Sequence, residues 1–311
     1  MTMDRDAALV ALGRALMAEG YRFVTPTPAT HAVVNARPAN RWAQSLTDVF
    51  GWSRPFHPGT LPPAILALAE VAGVVAQDSE GQRARVRFST LDGLIFAHSA
   101  YPTTAADAVF FGPDTYRFAS AIMALPARPI RRAIDIGAGA GPGALVVARA
   151  YPNAEVLAID INAEALRLTR VNAALNGLTV TARHSNLLHD APGAYDLIVS
   201  NPPYLVDPGE RAYRHGGGPL GAELSLAVLD AAWHALAPGG TLLLYTGSAI
   251  VNGGDPFQTA ALAQLPSSVR VHYHEIDPDV FGEELTGGAY VIADRIAAVA
   301  LTVRKSEESH A

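Results

Sequence analysis

The sequence predicts an α/β protein in which a small helical domain precedes a doubly wound, mostly parallel sheet of seven strands. From about residue 130 onward, short apolar runs typical of strands alternate with helical patterns, which favours a parallel sheet covered by helices on both faces. The earlier part of the chain combines helical spacing, frequent proline and one hairpin signal. A length of 311 residues is enough for both parts. We place the boundary between residues 1–105 and residues 106–311.

The N-terminal region is predicted from apolar spacing and from turn residues. Its first helix carries apolar side chains on one face and ends at Gly20. Further on, polarity alternates on either side of Asp92-Gly93, a pair typical of tight hairpin turns. The expected elements are helices at residues 4–19, 43–49 and 63–72 and a hairpin at residues 85–98. Four aromatic side chains are expected in the core of this region: Trp42, Phe50, Trp52 and Phe56.

The C-terminal region is predicted as strands joined by helices. Asn162 is suited to cap one of these helices, and Pro238 with the glycines that follow it ends another. The expected strands are residues 132–136, 156–159, 180–183, 197–200, 241–245, 269–274 and 296–303. The expected helices run to residue 149 and over residues 163–175, 222–236 and 257–265.

Composition narrows the class of protein. Half of the residues are hydrophobic and 17% are charged, which is typical of a globular chain. There is no cysteine, so disulfides and thiolate chemistry are excluded. The N-terminus lacks the pattern of a signal peptide, and no run approaches 18 apolar residues, so we expect a cytoplasmic protein without a membrane partner. The net charge of −6, without any basic block, makes a nucleic-acid partner unlikely at this stage.

Two prolines directly follow the fourth predicted strand, in Asp196-Leu-Ile-Val-Ser-Asn-Pro-Pro-Tyr204. Proline cannot continue strand pairing, so the strand ends with the amide of Asn201 at its tip. Because proline has no backbone N–H, the carbonyl groups of Asn201 and Pro202 are free to accept hydrogen bonds, and Tyr204 offers a flat ring beside them. This pattern predicts a socket for a planar group that carries an NH₂.

Glycines and carboxylates follow the first two strands of the predicted sheet. Gly137, Gly139 and Gly141 come before a helix, so the backbone there can approach a ligand closely. Asp160 ends the second strand, the expected place for a carboxylate that accepts ribose hydroxyl groups. Asp135 lies inside the first strand, where it suits a cationic amino-acid group better than a pyrophosphate. Together these residues predict a nucleoside cofactor that carries an amino-acid group.

Three segments are together similar to class I S-adenosylmethionine-dependent methyltransferases: Ala133-Ile-Asp-Ile-Gly-Ala-Gly-Ala-Gly141, Leu157-Ala-Ile-Asp160 and the Asn201-Pro-Pro-Tyr204 tip. The tip resembles the subset that methylates glutamine amides or exocyclic amines of adenine and guanine. With its helical N-terminal region, its hairpin and the segment Phe111-Gly-Pro-Asp-Thr-Tyr116, the chain resembles the HemK-like protein-glutamine N5-methyltransferases. The resemblance implies a Rossmann-like catalytic domain with S-adenosylmethionine as cofactor, preceded by a substrate-recognition domain.

The resemblance also implies roles for individual residues. Asn201, Pro202 and Tyr204 would hold the methyl acceptor as the catalytic group. The residues expected at the cofactor are Thr115, Asp135, Gly137, Gly139, Gly141, Asp160, Ile161, Asn186 and Leu187. The residues expected at the acceptor are Pro203, Arg214, Tyr245, Glu283 and Glu284.

The chain departs from the family pattern around the expected acceptor pocket. Gly112 stands where an arginine is usual, the loop at residues 213–221 lacks the usual Glu-Pro motif, and the fifth strand leads into Tyr245-Thr-Gly-Ser248 instead of ending in glutamate. An acidic stretch at residues 275–284 could form a lid over a cationic acceptor or simply a solvated loop. No metal is expected, because His272 and His274 share a strand face without a third ligand.

The acceptor is therefore open between three classes. The resemblance implies a glutamine amide in a protein, whereas the altered loops and the acidic stretch favour a free amino acid or another small metabolite. An exocyclic amine of nucleic acid would require a basic channel and a site for a flipped base. A binding module without catalysis is disfavoured, because the cofactor residues and the Asn-Pro-Pro-Tyr tip are all present. The sequence does not predict the oligomeric state.

Overall fold

The N-terminal region packs short helices around two small hairpins. The structure is a computed structural model that describes residues 3–77, 80–207, 209, 211 and 213–307. Its first hairpin pairs β1 with β2 and its second pairs β3 with β4, both antiparallel. The elements of this region are α1 (Arg5–Ala18), α2 (Pro28–Asn35), α3 (Leu46–Phe50), α4 (Pro63–Val71), β1 (Val75–Gln77), β2 (Gln82–Ala84), β3 (Val86–Leu91) and β4 (Leu94–Ser99).

A seven-stranded sheet forms the rest of the chain and confirms the predicted fold class. The strands lie in the order β10-β11-β9-β8-β5-β6-β7, and β11 is antiparallel to both of its neighbours while the others run parallel. The elements are α5 (Pro113–Met123), β5 (Arg132–Ile136), α6 (Pro142–Ala150), β6 (Glu155–Asp160), α7 (Ala163–Asn176), β7 (Thr181–His184), β8 (Tyr195–Ser200), α8 (Glu223–Ala235), β9 (Leu236–Ile250), α9 (Pro256–Gln264), β10 (Arg270–Asp277) and β11 (Arg295–Arg304).

Helices cover both faces of this sheet. One face buries apolar residues of β5, β8 and β9 against α5 and α6, with Phe118 and Val147 among the buried residues. The opposite face packs against α8 and α9, where Leu229 and Phe257 are buried. The order of strands reverses at β5, whose neighbours are β6 and β8. Ligands bind at such a switch point in open α/β sheets, outside the carboxyl ends of the strands.

Two helices lie where the sequence analysis expected none. The proline-rich stretch before residue 62 contains α2, and the segment after Gly112 forms α5. Both helices begin with proline in the first turn, a position that needs no backbone N–H and therefore suits proline. In addition, β9 begins at Leu236, before residue 241, where its start was predicted. Leu236 already pairs with Tyr195 of β8, and a register shift at the Pro-Gly-Gly turn separates this pair from the pairing that resumes at Thr241.

The aromatic core of the N-terminal region is smaller than expected. Phe50 and Phe56 are fully buried, as predicted. Trp42 is only partly buried and stacks on His57, with 3.7 Å between ring centroids. Trp52 is also partly buried and packs edge-on against Phe23 at 5.4 Å. The two indole rings therefore cover the edge of the core, where their polar N–H groups can reach solvent.

Candidate active site

A cleft lies over the carboxyl ends of β5, β6 and β8, at the point where the strand order reverses. Its volume is about 230 Å³. Most of the residues singled out from the sequence line it: Thr115, Asp135, Gly137, Gly139, Asp160, Ile161, Asn186, Leu187, Asn201, Pro202, Pro203, Tyr204 and Arg214. Segments distant in sequence thus meet in one concave site, as the parallel topology requires.

The loop after β5 leaves open space where side chains would otherwise stand. Gly137 and Gly139 have φ angles of 71° and 56°, a conformation that residues with a Cβ rarely adopt. A Cβ on Gly137 would meet nothing within 4 Å, and one on Gly139 would meet only Val109 at 4.0 Å. The backbone is therefore exposed to the cleft and fits the close approach of a nucleoside cofactor. Gly141 differs, because it caps α6 and a Cβ there would touch Leu145 and Thr169 instead.

Asp135 is a buried carboxylate at the floor of the cleft. Its Oδ2 accepts a hydrogen bond from the backbone N–H of Ala144 at 2.8 Å. Only 2% of the residue is exposed, and burial raises the pKa of Asp135 to about 7; the charge of Asp160 adds to the increase and the Ala144 hydrogen bond opposes it. No cationic side chain pairs with Asp135 within the described residues. The site therefore favours a ligand group that brings a positive charge.

Asp160 ends β6 and is fixed by backbone donors. Its two oxygens accept hydrogen bonds from the N–H groups of Gly139 at 2.9 Å and Asn162 at 2.8 Å. Burial raises the pKa of Asp160, although these N–H groups act in the opposite direction. The carboxylate thus connects the glycine loop to the start of α7 and retains lone pairs that face the cleft.

Asn201 stands at the tip of β8 with unused hydrogen-bonding groups. The last residue of the strand, Ser200, is held by a hydrogen bond from its hydroxyl to the Ile136 carbonyl at 2.7 Å. Within the described residues, the side chain of Asn201 and the carbonyl of Pro202 make no hydrogen bond, although both residues line the cleft. Polar groups that are held in a concave site without partners are available to a ligand.

The hydroxyl groups of Tyr204 and Tyr245 share one partner that the sequence analysis did not connect with them. Both hydroxyl groups donate to the buried carboxylate of Asp114 at 2.7 Å, Tyr204 to Oδ2 and Tyr245 to Oδ1. Tyr245 is fully buried outside the cleft, so it does not reach an acceptor directly. Burial raises the pKa of each tyrosine above the ordinary value of a tyrosine, and the negative charge of Asp114 raises it further. Arg117 completes the group with a 3.0 Å ion pair to Asp114.

The loop after the tip of β8 is held by charged groups. Arg211 forms a bidentate pair with the buried carboxylate of Asp207, and Arg214 lies 3.5 Å from the same carboxylate. The hydrogen bonds from Arg211 lower the pKa of Asp207 to about 2. Arg214 also pairs with Glu284, whereas Glu283 is exposed and lies outside the residues that line the cleft.

Further ion pairs of the acidic stretch bear on the alternative that it is a lid for a cationic acceptor. Glu275 pairs with Arg295 at 2.7 Å, and Asp277 pairs with Arg117 at 2.6 Å. With Glu284 bound to Arg214, most carboxylates of the acidic stretch are already neutralised by arginine. The arginine partners belong to other segments of the chain, and the sequence alone does not show that these segments lie beside the acidic stretch. The ion pairs were therefore not predicted.

Apolar residues that the sequence analysis missed complete the cleft. Phe110 and Tyr213 stack in parallel with 6.1 Å between ring centroids, and Tyr213 donates a hydrogen bond to the Thr103 carbonyl at 2.8 Å. Phe281 packs edge-on against Tyr204 at 5.9 Å. Leu224 lines the cleft beside them. Their aromatic and aliphatic character was the only available signal, and it does not distinguish a cleft wall from a core.

Residues 106–250 match a family model that is described as the Methyltransferase small domain. This match covers all of the strand ends that build the cleft, and Phe281 is the lining residue that lies outside it. This region is a class I methyltransferase domain. The two carboxylates described above suit the positively charged amino-acid group and the ribose of S-adenosylmethionine. Among the described residues, none of the helices of the chain is long and apolar enough to cross a membrane.

The methyltransferase domain is similar to three curated glutamine methyltransferases. The release factor glutamine methyltransferase of Deinococcus radiodurans is 43% identical over 36% of this chain and 44% of that protein. The release factor glutamine methyltransferase of Koribacter versatilis is 33% identical over 45% of this chain and 55% of that protein. The ribosomal protein uL3 glutamine methyltransferase of Bordetella pertussis is 37% identical over 38% of this chain and 44% of that protein. The chain thus spans about half the length of these relatives and resembles the HemK-like group.

Proposed function

We propose that this protein transfers the methyl group of S-adenosylmethionine to the side-chain amide nitrogen of a glutamine in another protein. The relatives named above support this acceptor, because they are glutamine methyltransferases of release factors and of ribosomal protein uL3. The unpartnered amide of Asn201 at the tip of β8 carries the proposal. A release factor or a ribosomal protein is also the partner class that we propose, which places the enzyme in the cytoplasm.

The proposed mechanism follows from the hydrogen-bonding capacity of the tip. An amide nitrogen is planar and weakly nucleophilic because its electron pair is delocalised into the carbonyl. The Asn201 side-chain oxygen and the Pro202 carbonyl can accept the two N–H groups of a glutamine amide. These acceptors localise the electron pair and stabilise the positive charge that develops on nitrogen as it attacks. No strong base is required, because the proton can leave after transfer.

The cofactor residues would hold the donor beside that nitrogen. S-adenosylmethionine would supply a methyl group on a sulfonium, which is a good leaving group. Asp135 would hold the amino-acid end of the donor by its charge, and Asp160 would accept hydrogen bonds from the ribose. Asn186 and Leu187 lie at the wall where the adenine would rest. Alignment of donor and acceptor in a cleft with little water supplies most of the rate acceleration.

A small metabolite and a nucleic acid are weaker candidates for the acceptor. The acidic stretch that suggested a cationic metabolite is mostly paired with arginine. A net charge of −6 does not suit binding to a phosphate backbone. A protein loop that inserts one glutamine side chain requires neither a cationic nor an anionic pocket.

A tritium-transfer assay tests the proposal. The purified full-length protein is incubated with labelled S-adenosylmethionine and, in separate reactions, with unmethylated release factor, ribosomal protein uL3, total RNA or a mixture of free amino acids. We expect label in a protein, at a glutamine that mass spectrometry shows to be heavier by one methyl group. Label found only in RNA or only in free amino acids would overturn the proposed acceptor.

Two variants separate binding of the donor from transfer of the methyl group. Asn201→Ala should lower kcat roughly 10²–10³-fold, because it removes an acceptor that acts in the transition state. It should leave the Kd of S-adenosylmethionine, measured by calorimetry, nearly unchanged. Asp160→Ala should instead raise that Kd by about 10–100-fold, the usual cost of hydrogen bonds to a charged group. Equal effects of both variants on kcat and Kd would contradict this division of roles.

A further inference from the structure

A buried arginine in the N-terminal region lacks a partner. Arg87 lies in β3 and is only 3% exposed. Its Nε atom is buried without a hydrogen bond, and within the described residues the guanidinium takes part in no ion pair and no hydrogen bond. Buried arginine side chains are almost always paired, so this one requires an explanation.

The side chains near Arg87 are polar and uncharged. Three tyrosines, Tyr21, Tyr101 and Tyr116, lie close enough to influence its pKa, and no carboxylate does. His98 is fully buried. Burial lowers the pKa of His98, and the charge of Arg87 lowers it further, so its ring is neutral. Its Nε2 lies 2.7 Å from the Ser89 hydroxyl. The positive charge of Arg87 is therefore surrounded by dipoles but not balanced by an anion.

A neighbouring histidine also keeps a buried nitrogen without a partner. His31 is fully buried, and its Nε2 has no hydrogen bond within the described part of the chain. Burial lowers the pKa of His31 to about 4, and the charges of Arg87 and Arg54 add to this decrease. His31 is thus neutral near pH 7. Arg54 itself is balanced, because it pairs with Asp48.

Tyr101 is a member of this cluster that is partly exposed. Its ring stacks on His31, with 4.0 Å between ring centroids. The backbone N–H of Tyr101 is held by the Ser53 hydroxyl at 3.2 Å. Tyr101 therefore marks a side of the cluster that lies close to solvent.

We propose that Arg87 is the centre of a binding site for a small oxyanion of the carboxylate or phosphate class. The planar guanidinium matches two oxygens of such a group, and the hydroxyls of Tyr101 and Tyr116 can donate further hydrogen bonds, whereas that of Tyr21 already donates to the Phe88 carbonyl. An unpaired buried charge is costly, and an anion that pairs with it removes that cost. The site lies in the N-terminal region, outside the cleft that holds the methyl donor, and it does not depend on methyl transfer.

Thermal unfolding of the full-length protein with added anions tests the site. Inorganic phosphate and malonate are titrated separately against sodium chloride of equal ionic strength, with S-adenosylhomocysteine present at saturation to fill the cofactor cleft. We expect at least one of the two anions to raise Tm in a saturable manner by about 2 °C at tenfold its Kd. The stronger of the two identifies the phosphate or the carboxylate class.

Three variants connect the effect to this arginine. Arg87→Met removes the charge and should abolish the saturable rise, whereas Arg87→Lys should weaken it because lysine lacks the planar fork. Arg85→Met is the matched control: it removes an exposed arginine from a position close in sequence and should keep the full rise. Anions that stabilise proteins only by exclusion from the surface would act equally on all four proteins.

Two results would overturn the proposal. One is the absence of a saturable change in the Tm of the wild-type protein with either anion. This measurement does not depend on whether any variant folds. The other is an equal response of Arg87→Met and Arg85→Met. Both results concern Tm alone, so they are independent of the assay for glutamine methylation.

Discussion

Two carboxylates in the cofactor cleft have raised pKa values for the same physical reason. Asp135 and Asp160 are removed from bulk water, and the charge of Asp160 further disfavours the charged form of Asp135. Backbone N–H groups partly compensate this cost at both residues. A ligand that carries a positive charge relieves it further. The two carboxylates therefore favour the binding of a cationic donor over that of a neutral one.

The affinity for S-adenosylmethionine should depend on pH through Asp135. The pKa of this carboxyl in the free protein is about 7, so below that pH it is protonated and must lose a proton before it can hold an ammonium group. Affinity should therefore fall by up to about tenfold per unit as pH decreases below 7. Calorimetry between pH 5.5 and 7.5 measures this slope. Asp135→Asn should bind more weakly at pH 7.5 and lose the acid slope; an unchanged slope would contradict the assignment.

At the scale of elements, one buried carboxylate connects three parts of the site. Asp114 lies in the first turn of α5, Tyr204 follows the tip of β8, and Tyr245 belongs to β9. The ring of Tyr204 also fills the space beside Gly247, where a Cβ would approach it to 2.3 Å. This packing fixes the chain directly after Asn201 and Pro202. We therefore infer that Tyr245, which does not line the cleft, is a positioning residue.

Tyr245→Phe should lower kcat with little effect on the Kd of S-adenosylmethionine. The lost hydroxyl leaves one oxygen of Asp114 short of a donor, which should cost about 1–3 kcal/mol of stability and loosen the tip of β8. Tyr273→Phe is a matched control, because it also removes a tyrosine hydroxyl from an aspartate, Asp255, outside the cleft. A loss of stability without any loss of kcat relative to this control would limit Tyr245 to a structural role.

Helix α7 uses two asparagines to bind the edge of β4. Asn172 accepts from the Ala97 N–H at 2.7 Å and donates to the carbonyls of Ala97 and Ala140 at 3.0 and 2.9 Å. Asn176 makes the equivalent pair of bonds with Ile95. The side chains thus satisfy backbone groups that a further strand would otherwise pair. Through Ala140, the same contact holds the glycine loop of the cofactor site.

Asn172→Ala should be among the most destabilising substitutions in the chain. Asn172 is fully buried, and its removal leaves three backbone groups without partners, at a cost of about 1–3 kcal/mol each before relaxation. We expect a loss of several kcal/mol in urea unfolding and weaker binding of S-adenosylmethionine. Asn176→Ala, which affects β4 but not Ala140, should destabilise the protein without the loss of binding. Equal Kd values for the two variants would argue against a connection to the glycine loop.

Helices and strands were predictable where one local pattern decided them. The strands of the sheet were found within one to three residues at most ends, because a buried strand is an apolar run between turn residues. Helices α2 and α5 were missed, although both carry proline in the first turn, a position that suits it. For the site, the strand tips placed Asp135, Asp160 and Asn201 together in the cleft. Tyr245 was misplaced because the partner of its hydroxyl, Asp114, lies on another element.

At the scale of the molecule, the N-terminal region shares its core with the methyltransferase domain. Residues of α1, α3 and α4 pack in one cluster with Leu168, Val171 and Leu175 of α7. Gly13 of α1 lies directly against Leu175, where a Cβ would come within 2.6 Å of its side chain. An ion pair between Arg167 and Asp6 crosses the same contact. The boundary at residue 105 stays a prediction, but the two regions bury apolar surface against each other.

The methyltransferase domain should therefore not be stable when it is produced without residues 1–105. Truncation exposes the apolar face of α7 that α1 covers, and each leucine or valine that becomes exposed costs about 1.5–3 kcal/mol. We expect residues 106–311 to aggregate or to bind S-adenosylmethionine poorly, and the full chain to unfold in a single thermal transition. A second truncated protein, in which Leu168→Gln, Val171→Lys and Leu175→Gln make this face polar, should regain solubility. If residues 106–311 alone kept the Tm and the donor affinity of the full chain, the shared core would contribute no stability, and the N-terminal region would be an independent domain.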